Sequence, residues 1–229
     1  MIYLSNLTRP DLAPHFKLRS PMMLTHGHFM PSDPDFLPDC GYFTHDEAAI
    51  LYSIAKAWPR KWADIGARLG WTSVHIAAAG AAVDAVDPEL MQLDFRRRFF
   101  ENTAGLLPQW AMTPVTCGEY FDNPTNRVNA ACIDGNHSVP EPTRDAMRAI
   151  SAGAKVLVWH DFWGDPVADA VDCVIDLGWK CRTYDTPNGL AVCWVPDCGF
   201  IPPDHVPDPA VDWAERRSWL PRFDFKRCV

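Results

Sequence analysis

Residues 61–87 constrain this chain more than any other stretch. Trp62 to Ile65 are apolar enough for a short buried strand. Gly66 lets the backbone turn sharply, and Gly70 lets it approach a ligand without a Cβ in the way. Thr72 or Ser73 can cap a helix over residues 74–79, whose free N–H groups then face the same crevice. A second strand over residues 82–86 ends at Asp87-Pro88. Asp87, 21 residues after Gly66, can accept hydrogen bonds from the two hydroxyls of a ribose. Strand, glycine turn, helix, strand and terminal acid together read as a nucleoside-binding βαβ unit.

The glycine spacing narrows the nucleoside. A dinucleotide fingerprint is G-x-G-x-x-G, with the helix N-terminus against a pyrophosphate. Here the pattern is Asp64-x-Gly66-x-x-x-Gly70, which lacks the close glycine pair and adds an acid before the first glycine. It resembles the first motif of the class I S-adenosylmethionine-dependent methyltransferases. The resemblance implies S-adenosylmethionine as cofactor, held by Asp64, Gly66, Ala67, Gly70, Ser73 and Asp87. Asp64 would face the cationic methionine part, directly or through water, and Asp87 the ribose. The rival reading is a glycine turn in some other α/β protein.

A chain of 229 residues suits one domain with extensions. The expected division is a proline-rich irregular arm over residues 1–39, a domain over 40–195 and a proline-rich tail over 196–229. The net charge of −8 makes nucleic acid an unfavourable partner. The eight cysteines include no C-x-x-C pair, so they read as reduced residues and not as a disulfide frame or zinc site. No signal peptide and no apolar run of the ~20 residues needed to span a membrane is seen, so a cytoplasmic protein is expected.

Within the arm, Thr25-His26-Gly27-His28 reads as surface histidines beside a glycine, with a lid as the alternative. Thr44 and Glu47 have capping-box spacing and open a helix to about Trp58, with Ala48, Leu51, Ile54 and Ala55 on its apolar face. Residues 89–107 read as a helix whose Arg96-Arg97-Arg98 run is solvated. Residues 110–116 read as a third strand that ends at the turn Cys117-Gly118-Glu119. Asp122-Asn123-Pro124-Thr125 lacks the aromatic of an amine-methylating motif and precedes a strand, so it is a loop.

The chemistry concentrates further on. A fourth strand over residues 128–133 ends in Asp134-Gly135-Asn136-His137, and the helical pattern after Pro140 argues against a hairpin there. A fifth strand over residues 154–159 ends in His160-Asp161. Adjacent parallel strands lie ~4.8 Å apart, so both acids can meet over one ligand. His137, three residues past Asp134, can project into the same space. Phe162 and Trp163 read as packing at a strand end, with the lining of an acceptor pocket as the alternative. A helix over 166–177 and an antiparallel pair over 178–184 and 189–195 complete the pattern, and Trp213, Trp219, Phe223 and Phe225 would pin the tail to the domain or to a second subunit.

From about Gly41 to Val195 the chain resembles the family of macrolide-sugar O-methyltransferases and a relative linked to cephalosporin biosynthesis. The match rests on the entry segment 41–79, on Ile133-Asp134-Gly135-Asn136-His137-Ser138, on Trp159-His160-Asp161 and on Asn188-Gly189-Leu190-Ala191-Val192. It implies a three-layer α/β/α Rossmann-like methyltransferase fold with a seven-stranded, mostly parallel sheet. It also implies Cys117 and Gly118 beneath the adenine, and Asp134, Asp161 and His137 as catalytic residues with His137 as base. A divalent metal on Asp134, His160 and Asp161 follows from it too, the alternative being that Asp161 caps the next helix and His160 packs against the sheet. His160 stands where the macrolide-sugar enzymes carry a carboxylate, so Mg²⁺ is favoured by the oxygens while Mn²⁺ or Fe²⁺ suits the imidazole. The expected activity is S-adenosylmethionine-dependent O-methylation of a small hydroxylated molecule, by a protein that could be a homo-oligomer. The alternatives are a nucleotide-dependent oxidoreductase and a non-catalytic binding protein of the same fold.

Overall fold

The computed structural model describes residues 43–108, 111–207 and 209–229. The expectations for residues 1–39, the Thr25–His28 histidines among them, lie outside these residues, as does Cys40.

Strands β1 (Lys61–Ile65), β2 (Ala82–Val86), β3 (Met112–Thr113), β4 (Ala130–Ile133), β5 (Val156–Trp159), β6 (Lys180–Tyr184) and β7 (Leu190–Trp194) form one sheet in the order β3-β2-β1-β4-β5-β7-β6. β1 to β5 pair in parallel, and β7 runs antiparallel to both β5 and β6. β1, β4, β5 and β7 are almost wholly buried, as strands covered on both faces must be.

Alternation along the strands assigns the two layers. Trp62, Val83, Cys132, Val156, Val158 and Val192 pack against α1 (His45–Ala57) and α2 (Trp71–Ala78). Ala63, Ile65, Ala131, Ile133, Leu157 and Trp159 pack against α5 (Glu141–Ser151) and α6 (Asp165–Asp176). The result is the expected three-layer α/β/α sandwich. The chain leaves β1 toward β2 and β3, then returns to β4 on the other side. This reversal opens a crevice at the carboxyl ends of the strands.

Several boundaries differ from expectation for local physical reasons. α2 starts at Trp71, and its N-cap is Gly70 without a side-chain bond, so neither Thr72 nor Ser73 is a cap. Residues 89–107 split into a 3-10 turn, Pro88–Met91, and α3 (Leu93–Thr103), because Gln92 is extended. β3 is two residues long, and Thr116 is the N-cap of α4 (Cys117–Asp122) in a capping box with Glu119. Cys117-Gly118-Glu119 is therefore a helix start and not a turn. The remaining helix, α7 (Trp213–Arg217), belongs to the tail.

The tail lies on β6 and α6. Arg182 donates to the carbonyls of Pro202, Pro203 and Val229, and Arg227 pairs with Asp172 and Asp176. Phe223 and Phe225 stack edge-on around the fully buried Phe162, which packs as expected; Trp219 stays largely exposed. The described cysteines are free, and Cys132, Cys181 and Cys193 are buried on strands. No helix among the described residues is long and apolar enough to cross a membrane.

Candidate active site

The crevice starts at the glycine turn after β1. Gly66 takes φ +85°, and a Cβ there would lie 2.1 Å from the carbonyl oxygen of Asp134. Only glycine lets β1 end this close to the end of β4. Gly70 also takes positive φ, but its missing Cβ would meet Thr103 and Phe99, not a ligand. Its role is close packing against α3, which corrects the expectation of ligand approach.

Asp87 stands at the end of β2, almost buried, with both carboxylate oxygens held by backbone. Oδ2 accepts from Arg68 N–H at 2.8 Å and Oδ1 from Glu89 N–H at 2.7 Å. Arg68 adopts φ +44° to present that N–H. Burial raises the Asp87 pKa, and the two N–H bonds oppose the rise. Each oxygen keeps a further lone pair for a ligand hydroxyl.

Asp64 does not border the cleft. It is fully buried beneath the turn, where its Oδ2 accepts from Thr72 Oγ1 at 2.6 Å and from Ser73 Oγ. Asp64 and Ser73 therefore brace the turn from below, a correction to their expected contact with the cofactor. Oδ1 of Asp64 is buried with no hydrogen-bond partner, and burial pushes its pKa up to about 6 against the pull of the two hydroxyls.

At the other end of the crevice the structure brings Asp134, His137 and Asp161 together. One ligand atom from each lies within 4.8 Å of the other two. His137 Nε2 is 3.4 Å from Asp134 Oδ1, and its Nδ1 is 3.4 Å from Asp161 Oδ2. Asp161 adopts φ +55°, an uncommon conformation for a non-glycine residue and one that gathers at functional sites. The close approach of Asp134 raises the His137 pKa, and Asp161 adds to the rise against burial.

His160 is not in that group. It shares the sheet face of Val156 and Val158, so it points to α1, where it is fully buried and stacks on Phe43 at 4.1 Å. Nε2 meets Glu47 Oε2 at 3.1 Å, while Nδ1 lies 3.2 Å from Asp134 Oδ1 and 3.4 Å from Asp161 Oδ1. Burial alone would depress its pKa, but the three carboxylates lift it well above the usual value. Both ring nitrogens are occupied, so His160 is a cationic brace for the two acids and not a metal ligand. That removes His160 from the expected ligand set and leaves His137 as the imidazole beside the two acids.

Glu47 was expected only as a capping residue. Its carboxylate accepts from Thr44 N–H and His160 Nε2, and from Asn188 N–H at 2.9 Å and Nδ2 at 3.1 Å. Burial raises its pKa, but the charge of His160 and these hydrogen bonds bring it below normal. The sequence signal was the period of two from Val156 to His160, which aims His160 at α1.

The third wall is built by the start of α4 and by α5. Cys117 and Gly118 border the cleft, joined by Glu141, Asp145 and Arg148. Asp145 is buried and pairs with Arg148 at 3.2 Å. The whole cleft measures about 790 Å³ and runs without a break from Gly66, Ala67 and Arg68 past Asp87 to this wall, and along Asp134 and His137.

No family model and no curated protein sequence matches the chain. Solved structures do. The O-methyltransferase TomG from Streptomyces achromogenes, involved in tomaymycin synthesis and solved with S-adenosylmethionine, superposes with a TM-score of 0.58 at 12% identity, over 83% of this chain and 92% of that one. An O-methyltransferase from Bacillus cereus in complex with S-adenosylhomocysteine gives 0.50 at 13%, over 65% and 79%. A precorrin 8W decarboxylase of Methanobacterium thermoautotrophicum gives 0.52 at 13%, over 68% and 91%. At such identities the likeness carries the fold, which is the Rossmann-like fold of the class I S-adenosylmethionine-dependent methyltransferases, and not the acceptor.

Proposed function

We propose that this chain is an S-adenosylmethionine-dependent O-methyltransferase acting on a hydroxyl of a small molecule with the help of a divalent cation. The observation that carries the reading is one continuous cleft. It joins the backbone-cradled carboxylate of Asp87 to Asp134 and His137, beside which Asp161 lies within ligand reach.

The residues fit the cofactor. Asp87 offers two paired acceptors to a ribose diol, and the orphaned Oδ1 of Asp64 supplies negative potential behind the turn, suited to a cationic amino-acid part. They also fit a divalent ion: Asp134 and Asp161 give hard oxygens, with His137 within ligand reach. Bound, the sulfonium would supply an electrophilic methyl group, and the cation would lower the pKa of the acceptor hydroxyl. The chain's own groups do the rest. Asp134 and Asp161 orient the acceptor oxygen, His160 holds both acids in place, and a ring nitrogen of His137 takes the hydroxyl proton.

The net charge of −8 supports a small acceptor over nucleic acid. The missing Gly-x-Gly pair disfavours an oxidoreductase. Thermal-shift titrations with S-adenosylhomocysteine and with NADH test the reading. Stabilisation by the former alone is expected. Stabilisation by NADH alone would make the chain an oxidoreductase, and binding of cofactor product without turnover of any hydroxylated metabolite would favour the non-catalytic alternative.

A further inference from the structure

We propose that Glu47 is a positioning residue of the active site, fixing Asp134 and Asp161 through His160 and through the turn between β6 and β7. The inference rests on the divalent-cation reading above and concerns the side of His160 that faces away from the two acids.

Two capping boxes in this chain show what is unusual about Glu47. In the box that opens α4, Glu119 bonds to Thr116 and stays exposed. In the box that opens α1, Glu47 bonds to Thr44 in the same way but is fully buried. Its carboxylate also meets His160 Nε2 and both nitrogens of Asn188. Capping alone needs no such burial, and taking a carboxylate out of water is costly. What Glu47 holds, and not the helix it starts, explains its place.

The first arm runs through His160. Phe43, stacked on the ring at 4.1 Å and 16°, sets its plane. A half-turn flip keeps that plane and exchanges each ring nitrogen for a carbon, and the terminal torsion of a histidine is broad enough to allow it. Glu47 Oε2, 3.1 Å from Nε2, selects the orientation in which Nδ1 faces the acids, 3.2 Å from Asp134 Oδ1 and 3.4 Å from Asp161 Oδ1.

The second arm runs through the β6–β7 turn. Asn188 donates its N–H to Glu47 Oε1 at 2.9 Å and its Nδ2 to Oε2 at 3.1 Å. The carbonyl of the next residue, Gly189, accepts from Phe162 N–H at 3.1 Å. Phe162 directly follows Asp161, whose φ of +55° persists only where its surroundings hold it. Glu47 thus grips the end of β5 on both sides of Asp161. Partners that orient metal-binding groups from behind typically contribute about tenfold or more in metal affinity.

The test is a calorimetric titration of the whole chain with Mg²⁺. Glu47→Gln keeps the side-chain shape but turns one acceptor oxygen into a donor. Its Kd for Mg²⁺ should rise about tenfold. Affinity for S-adenosylhomocysteine should hold, because Asp87 is set by its own N–H partners. Thr44→Ala is the control, since it removes the hydroxyl that caps α1 and leaves the bonds of the carboxylate in place. It should lower the melting temperature and leave Mg²⁺ affinity unchanged. An equal loss of Mg²⁺ affinity in Thr44→Ala would reduce Glu47 to a structural part of α1 and overturn the inference. So would wild-type Mg²⁺ affinity in folded Glu47→Gln. If Glu47→Gln does not fold, hydrogen exchange of the wild type decides. Coupling is reciprocal, so Mg²⁺ should slow exchange of the Asn188 and Phe162 amides, and unchanged rates overturn the inference. A wild type that binds S-adenosylhomocysteine but no Mg²⁺ would overturn the cation reading and this inference with it. The other failures leave that reading standing.

Discussion

Asp87 and Asp64 show how two carboxylates one strand apart reach opposite uses. Asp87 has both oxygens on backbone N–H groups and lone pairs left over, so it can serve a ligand at little reorganisation. Asp87→Ala should weaken S-adenosylhomocysteine binding by ~1–3 kcal/mol, the usual cost of leaving polar partners unpaired. Unchanged affinity by calorimetry in a folded variant would remove Asp87 from the site. Asp64, buried with one oxygen orphaned, titrates near 6 instead of its ordinary 3.8. The folded state then binds more protons than the unfolded state between those values, so this group favours folding at low pH. Its contribution is lost as pH rises through about 6, a change on the order of 3 kcal/mol. Asp64→Asn should flatten the change in urea stability between pH 4 and pH 7. A slope identical to wild type would show that Asp64 does not titrate in this window.

Among the elements, α1 is tied to the sheet by more than apolar packing. Glu47 joins its first turn to His160 at the end of β5 and to Asn188 before β7, 141 residues away. Removing Glu47 leaves His160 Nε2 and both Asn188 donors without their buried acceptor, so Glu47→Ala should cost ~3–5 kcal/mol in urea denaturation. A double variant with His160→Ala should lose less than the sum of the two single losses, and simple additivity would show that the pair is not coupled. The contact between β1 and β4 is equally specific. Gly66→Ala combines a left-handed residue with a 2.1 Å clash against the Asp134 carbonyl. It should cost at least about 2 kcal/mol and displace the acid that the site depends on. A thermal melt matching wild type would show that the turn relaxes freely.

At the scale of the whole molecule, five side chains from α1 and the ends of β4 and β5 share one charge balance: Glu47, Asp134 and Asp161 against His160 and His137. A divalent ion binding the folded state should raise the melting temperature by mass action, and Mg²⁺ is the natural probe for a site built on two carboxylates. The rise should shrink in Asp134→Ala and Asp161→Ala. In His137→Ala it should persist while turnover is lost, as expected of a base. A rise that vanishes in this variant would make His137 a ligand instead, and activity indifferent to chelator would remove the metal from the mechanism.

The βαβ unit over residues 61–87 was legible in the sequence because its parts are local. A strand, a glycine at a sharp turn, a helix and an acid at a strand end lie within 27 residues, and each has its own chemical signature. Asp134 and Asp161 likewise follow two apolar runs, one residue out of step in the register of β4 and β5. What sequence could not decide was the use of side chains whose partners are distant. Ser73 and Thr72 have the look of caps, yet Asp64 beneath them is the stronger acceptor and draws both hydroxyls inward. His160 stands in a ligand position, yet the parity of β5 turns it toward α1, where a buried carboxylate claims its free nitrogen. Glu47 and Asp145 sit on helices whose periodicity shows only that they are polar. The sheet order makes one a counter-ion and the other a cleft wall, because burial and the proximity of charges belong to the tertiary structure alone.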